Sequence, residues 1–443
     1  MFLQEEREMK KFGVKDRVLV GITLFSMFFG AGNLIFPPFL GAQAGSSTPA
    51  AFLGFAVSAV FLPVLGVVAV TKSGGLENLA SRVHPKFSFI YILILYLAIG
   101  PCLAIPRTAS TSFSMAVTPF WENGDTLAAV QLVYSVVFFL LAAFVALHPE
   151  RLTEYLGKKL TPILLCLIIL IFAAAVFHPA GKAAEPLKAY QGAAAVQGFL
   201  DGYQTMDTLA ALNFGMIVAL NIREKGLDGE KKVMGETIRA GWIAGGVLLA
   251  VYGMLAFLGM VSSQHFAGNT NGTETLTDMM NFLFGNVGAV LLAVVFVIAC
   301  FNTCVGLFSC CGNYFSKVFP KISYRNWVFL FALVSLIIAN VGLNAILKFS
   351  VPVLNAIYPL AILLIFLSCI HQWIAKDPLV YPIAAVFCGV SSLVSVLDSV
   401  GAVIPCVTGV FRMIPGYQAG FGWILPTAIG GVIGCLAKRY RRK

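Results

Sequence analysis

Charge is what this sequence has least of. Asp, Glu, Lys and Arg make up 11% of its 443 residues, where an ordinary soluble chain carries about 25%. Too little polar surface remains to coat a water-soluble globule of this length. The ten cysteines sit almost entirely inside apolar runs of a long chain, which excludes a small secreted disulfide scaffold. Alternating polarity is lacking too, and with it the signature of a lipid-spanning barrel. Metal-ligand spacings are missing: His84, His148, His178, His265 and His371 stand apart at loops or span ends. There is no phosphate-cradling glycine loop, no nucleophile elbow and no acid–base cluster with an aqueous approach, so neither a cofactor nor an enzyme is expected. The net charge of +10 does not point to nucleic acid, because the basic residues fall in short breaks and form no stripe interleaved with aromatics.

What is present is hydrophobic sequence, 59% of the chain, with 37 Phe that exclude disorder. Twelve apolar stretches approach or exceed the ~20 residues of a membrane-crossing helix. They lie at 17–41, 50–71, 88–118, 126–147, 160–178, 193–222, 238–261, 286–315, 326–341, 344–371, 379–399 and 419–437. The chain is therefore expected to be an all-α polytopic membrane protein in contact with lipid. With the N-terminus inside, 25 of the 30 Lys and Arg fall in inner segments. The outer loops hold Lys182, Lys188, Lys348 and Arg412, and Arg107 lies within a span. By the positive-inside rule both termini are cytoplasmic, and the basic run 438–443 is a stop-transfer flank.

Two spans depart from plain helix. The first carries Gly30-Ala31-Gly32-Asn33 in mid-membrane, with Pro37 and Pro38 just beyond. The sixth carries Gly198-Phe199-Leu200-Asp201-Gly202-Tyr203 and then Met206-Asp207, far too polar for lipid. Each alone fits either a close helix–helix contact or a broken helix. Together they stand five spans apart. An odd repeat inverts its second copy, and discontinuous helices in such inverted repeats mark a transporter's binding site. The chain divides accordingly into 1–16, a cytoplasmic segment; 17–192 and 193–373, two repeats of five spans; 374–437, two additional spans; and 438–443, a basic cytoplasmic tail.

Four segments carry a family likeness: "FSMFFGAGNLIFPPFLGAQAG" after Gly21, "GPCLAIPRTASTSF" (Gly100 to Phe113), "GFLDGYQTMDTLAALNFG" (Gly198 to Gly215) and "SVPVLNAIYPLAIL" (Ser350 to Leu363). In order and at full length the chain resembles the branched-chain amino acid:cation symporter family, the bacterial system II carriers. The resemblance implies a LeuT-type fold, a bacterial cytoplasmic (inner) membrane, and uptake of leucine, isoleucine and valine with Na⁺ or H⁺. No obligatory protein partner is evident. Another amino acid or a nucleobase on the same fold is the nearest alternative; a passive channel or a membrane enzyme lacks its signature here.

Site expectations follow. The substrate carboxylate should meet the free N–H groups of Ala31, Gly32 and Asn33 beside Gly30. Its ammonium should face carbonyls around Phe199, Asp201, Gly202 and Tyr203, and Phe199, Tyr203 and Met206 should enclose its aliphatic chain. Arg107 and Asp201 lie at a comparable depth of roughly 14–17 Å, as a structural ion pair or in a gating or substrate role; whether Arg107 pairs with Asp201 or with Asp207, six residues on, stays open. By resemblance to the LeuT-type fold, carbonyls of Ser26, Phe29 and Ala299 would join Asn302 and Thr303 around Na⁺. The family favours two consecutive threonines at that place, and this chain has Asn302 in the first.

Overall fold

All twelve apolar stretches fold largely as helix, but three are interrupted where glycine, proline or a polar residue meets a neighbouring backbone. The computed structural model describes residues 12–121, 123–147, 161–227, 229–265 and 268–441. Most of the N-terminal segment, the basic connection holding Arg151, Lys158 and Lys159, and the last two residues of the tail lie outside the described residues. The first stretch is two half-length helices, α1 (Val14–Phe28) and α2 (Ala31–Ala44). The second is α3 (Thr48–Ala56) and α4 (Leu62–Ser73), joined by a π-helical turn at Val57–Phe61. A short α5 (Leu76–Ser81) leads into α6 (Pro85–Leu97) and α7 (Ala104–Ala116). Then come α8 (Gly124–Ala146), α9 (Thr161–Phe177), α10 (Ala194–Gly202) and α11 (Asp207–Glu224). The remainder is α12 (Glu230–Ser262), α13 (Gly272–Val318), α14 (Tyr324–Ala339), α15 (Leu343–Cys369), α16 (His371–Ile374), α17 (Val380–Ser399), α18 (Pro405–Arg412) and α19 (Ile424–Arg441).

Among the described residues, seven helical segments are long and apolar enough to cross a bilayer, some of them carrying a break, as at Gly100 and at Gly285 within α13 (φ 56°, ψ −144°), and α10 with α11, bent by 48°, makes an eighth. The apolar helices α9 and α14 are shorter, at 17 and 16 residues. There is no strand among the described residues. One face of α8 presents Val133, Val137, Leu140 and Phe144 outward, as a helix bordering hydrocarbon does.

Small residues bring particular helices together. A Cβ on Gly41 would collide with the Ala256 carbonyl, and one on Gly259 with that of Pro38, so α2 and α12 touch backbone to backbone. Gly54 stands in the same relation to Ala195, and Gly198 to Ala51, which seats α10 on α3. The first span thus packs on the seventh and the sixth on the second. Exchanging each span for its counterpart five places away, 1 for 6 and 7 for 2, turns one pair into the other, which is what an inverted repeat of five requires.

The third interruption was not among the expected ones. Gly100 leaves helical geometry at φ −95° and ψ −124°, Pro101 follows, and α7 starts afresh at Ala104. Proline removes a donor and displaces the preceding turn, so the Gly100-Pro101 pair was a legible signal. Its effect is to place Arg107 in the first turn of α7.

Candidate functional site

The first break is built from its own sequence. Phe29 (φ −74°, ψ 102°) and Gly30 (φ −138°, ψ −156°) are extended. The Phe29 N–H still closes α1 on the Phe25 carbonyl at 2.8 Å, and the Leu34 N–H opens α2 on the Gly30 carbonyl at 3.3 Å. Asn33 Oδ1 accepts the Gly30 N–H at 2.9 Å, capping the break from three residues downstream. The N–H groups of Ala31, Gly32 and Asn33 have no intrahelical acceptor. Both glycines are tightly enclosed: a Cβ on Gly30 would collide with Thr303 Oγ1, and one on Gly32 would lie 2.7 Å from Arg107 Nη2.

The second break lies later than expected. α10 stays helical through Gly202, so Phe199, Asp201 and Gly202 do not offer unwound carbonyls. Their glycines serve packing instead, since a Cβ on Gly202 would collide with Ser58 Oγ of the second span. The chain turns at Met206, whose φ of 64° and ψ of 8° are left-handed, the only such non-glycine φ among the described residues. Arg107 Nη1 donates to the Gln204 carbonyl at 2.7 Å, satisfying an acceptor that the break exposes. Asp207 then begins α11.

One asparagine ties the breaks together. Asn33 Nδ2 donates to both carboxylate oxygens of Asp207, at 2.9 and 2.8 Å, and also meets the Tyr252 hydroxyl. Tyr252, from α12, donates to Asp207 Oδ2 at 2.5 Å. All three side chains are buried, so this network sits where hydrogen bonds to charged groups are strongest.

A cavity of about 30 Å³ opens between the breaks, space for one or two waters. Ala31, Gly32, Asn33, Arg107, Thr108, Thr205, Asp207 and Thr303 supply its polar lining. Ile99, Ala104, Met206, Ala210, Phe214 and Leu307 supply the apolar part. Of the three residues expected to enclose an aliphatic chain, only Met206 reaches the cavity. Phe199 packs against Phe421, and Tyr203 stacks on Tyr358 with ring centroids 4.2 Å apart. Among the residues missed, Ala210 and Phe214 on α11 and Leu307 on α13 follow Met206 and Thr303 at helical spacing. A correctly placed break would have found them.

Arg107 and Asp201 do not meet. The Asp201 carboxylate accepts from Tyr190 at 2.7 Å and from Gln197 at 2.9 Å, in the last turn of α10. The helix arithmetic matched their depths but not their faces; Asp207, on the cavity with Arg107, is the carboxylate that shares its surroundings.

Of the residues expected around a cation, the structure brings two together: Thr303 Oγ1 donates to the Phe29 carbonyl at 3.2 Å. Ser26, Ala299 and Asn302 are buried but do not line the cavity. Asn302 Oδ1 has no hydrogen-bond partner among the described residues, which leaves an amide oxygen beside Thr303 in sequence. The described residues contain no cluster of three or more His, Cys, Asp or Glu able to hold a transition metal.

Comparison with known proteins matches this architecture. Among solved structures, Mhp1, a nucleobase-cation-symport-1 family transporter in a closed conformation, aligns with a TM-score of 0.59 at 13% identity, covering 96% of this chain and 92% of that one. MhsT in complex with L-phenylalanine aligns at 0.54 and 12%, covering 94% and 98%. The fold is therefore the LeuT type. The branched-chain amino acid permease BrnQ of Bacillus subtilis is 38% identical over 437 residues, 98% of this chain and 99% of its own. The branched-chain amino acid transport system 2 carrier protein of Pseudomonas aeruginosa is 40% identical over 429 residues, 96% of each. A family model described as branched-chain amino acid transport protein matches residues 13–441. The chain belongs to the branched-chain amino acid transport protein family.

Proposed function

We propose that this protein imports leucine, isoleucine and valine across a bacterial cytoplasmic membrane by alternating access, with both termini inside and a cation as the coupling solute. The observation that carries this reading is the convergence of two broken spans on one cavity with a charged rim and an aliphatic wall. Free N–H groups at the start of α2 suit a carboxylate. Ile99, Ala104, Ala210, Phe214 and Leu307 suit a branched hydrocarbon, and no side chain among them offers the hydrogen bonds a nucleobase needs. The cavity is smaller than that hydrocarbon, so its helices must part to admit the substrate. That favours a gated carrier over an open pore.

The cation is assigned to the Phe29 carbonyl and Thr303. The hydroxyl spends its hydrogen on that carbonyl and keeps its lone pairs. Na⁺ fits an oxygen set of this kind, and the unpartnered Asn302 oxygen is a further ligand within one residue. Uptake of labelled leucine into proteoliposomes, under an imposed Na⁺ gradient, a pH gradient or neither, tests the reading. Accumulation under one of the gradients, with isoleucine and valine as competitors, is expected. No accumulation under either gradient, or competition only by charged or aromatic amino acids, overturns it.

A further inference from the structure

Two charged side chains line the cavity, Arg107 and Asp207. Among the described residues neither has an ion-pair partner. Arg107 is 3% exposed and carries five N–H donors. One of these is used, on the Gln204 carbonyl. Its Nε has no acceptor, and its Nη2 lies against Gly32, at the start of α2. The Phe36 ring covers the guanidinium at 5.5 Å from its centroid, so water does not reach that face. A buried cation left in this way is costly until an anion meets it, and Ala31 and Gly32, whose N–H groups have no intrahelical acceptor, line the same cavity.

Asp207 has the opposite shape of demand. Its two oxygens offer about four acceptor positions. Asn33 occupies one on each oxygen and Tyr252 a second on Oδ2. Thr205 also lies beside the carboxylate, but its hydroxyl hydrogen goes to the Gly202 carbonyl at 2.9 Å, so one position on Oδ1 remains.

We propose that Arg107 and Asp207 read the two ends of a zwitterion, and that the site thereby selects free α-amino acids over their one-charged relatives. The substrate carboxylate sits on Arg107 Nε and Nη2 together with the Ala31 and Gly32 N–H groups. The ammonium donates to Asp207 Oδ1. This deepens the proposed function and rests on it. Arg107 also holds the Gln204 carbonyl, so carboxylate binding bears directly on the geometry of the second break.

The test uses the full-length protein in proteoliposomes and three ligands of one hydrocarbon skeleton: leucine, 3-methylbutylamine (no carboxylate) and 4-methylpentanoate (no ammonium). Each is measured by competition with labelled leucine or by direct binding. In Arg107→Gln, leucine is expected to weaken at least about 10-fold, while 3-methylbutylamine stays as it was. The preference between those two ligands collapses. In Asp207→Asn the mirror result is expected, with leucine falling toward 4-methylpentanoate. Equal weakening of all three ligands in both variants would make the residues structural and overturn the inference, as would unchanged leucine affinity. Should Arg107→Gln not fold, the near-isosteric Asp207→Asn carries the test alone. A wild-type protein that binds no leucine would count against the proposed function itself; wild-type binding with an unaltered preference in the variants would count only against this assignment.

Discussion

The two breaks do the same job with opposite means. The first is self-contained: two extended residues, a glycine with no room for a side chain beside Thr303, and a cap supplied three positions later by Asn33. The second is held from outside. Its turn is a left-handed methionine, its exposed carbonyl is met by Arg107 from α7, and its first helical residue is gripped by Asn33 and Tyr252 from two other spans. A break that stabilises itself can act as a fixed platform. A break that depends on its neighbours changes when they move, which is the property a gated carrier needs in one of its two halves.

The largest expected effect comes from Asn33, the residue common to both. Asn33→Ala removes the cap on Gly30 and two donors to a buried carboxylate. Losses of about 1 kcal/mol for the cap and about 1.5–3 kcal/mol for hydrogen bonds to a charged group should lower the unfolding temperature in detergent markedly. Leucine uptake should fall more than tenfold. Retention of both would mean the breaks are not coupled through this side chain. Next is Gly30→Ala, which drives a methyl into Thr303. It should abolish cation-dependent uptake, and adding Thr303→Ala should recover folding, read as monodisperse protein, without recovering the cation dependence.

Gly202→Ala tests whether the glycines of α10 belong to packing rather than to the site. It should destabilise by about 1–3 kcal/mol through overpacking, with partial recovery on adding Ser58→Ala and no change in leucine affinity of the folded fraction. A changed affinity would return Gly202 to the binding site. The smallest effect is expected at Met206. Met206→Gly relieves about 1–2 kcal/mol of left-handed strain while removing a cavity side chain. Thermal stability should hold or rise as leucine affinity falls a few-fold. Met206→Val, a branched residue at positive φ, should lose stability instead.

Helix positions were readable because hydrocarbon imposes one requirement on every residue of a span, and that requirement shows as a continuous run. The first break was readable for a related reason: its glycines and its capping Asn33 are adjacent in sequence. The second was placed about three residues early because Gly198 and Gly202 advertise a flexibility that the fold uses for contact with α3. Met206 gives no local sign of its left-handed geometry, since the forces that hold it there come from α2, α7 and α12. The supposed pairing of Arg107 with Asp201 failed in the same way. Rise per residue gives depth along a helix, but the facing of two helices depends on packing, and the break between Asp201 and Asp207 rotates everything after it. Gly100-Pro101 was the overlooked local signal, and it governs where Arg107 points.

The pair of opposite charges in one cavity also has an electrical consequence. A membrane potential does work of about 2.3 kcal/mol per elementary charge per 100 mV on any charge that crosses it. Arg107 and Asp207 border the same cavity, so their shared movement during a transport cycle carries no net charge, and a zwitterionic passenger adds none. With a cation co-transported as proposed, the field then acts on that cation alone. In a cycle moving one cation per amino acid, each 100 mV raises the attainable accumulation roughly 50-fold, since about 1.36 kcal/mol is a factor of ten. Neutralising either residue would give the protein a moving charge of its own, and the voltage dependence of uptake would shift in opposite directions for the two variants.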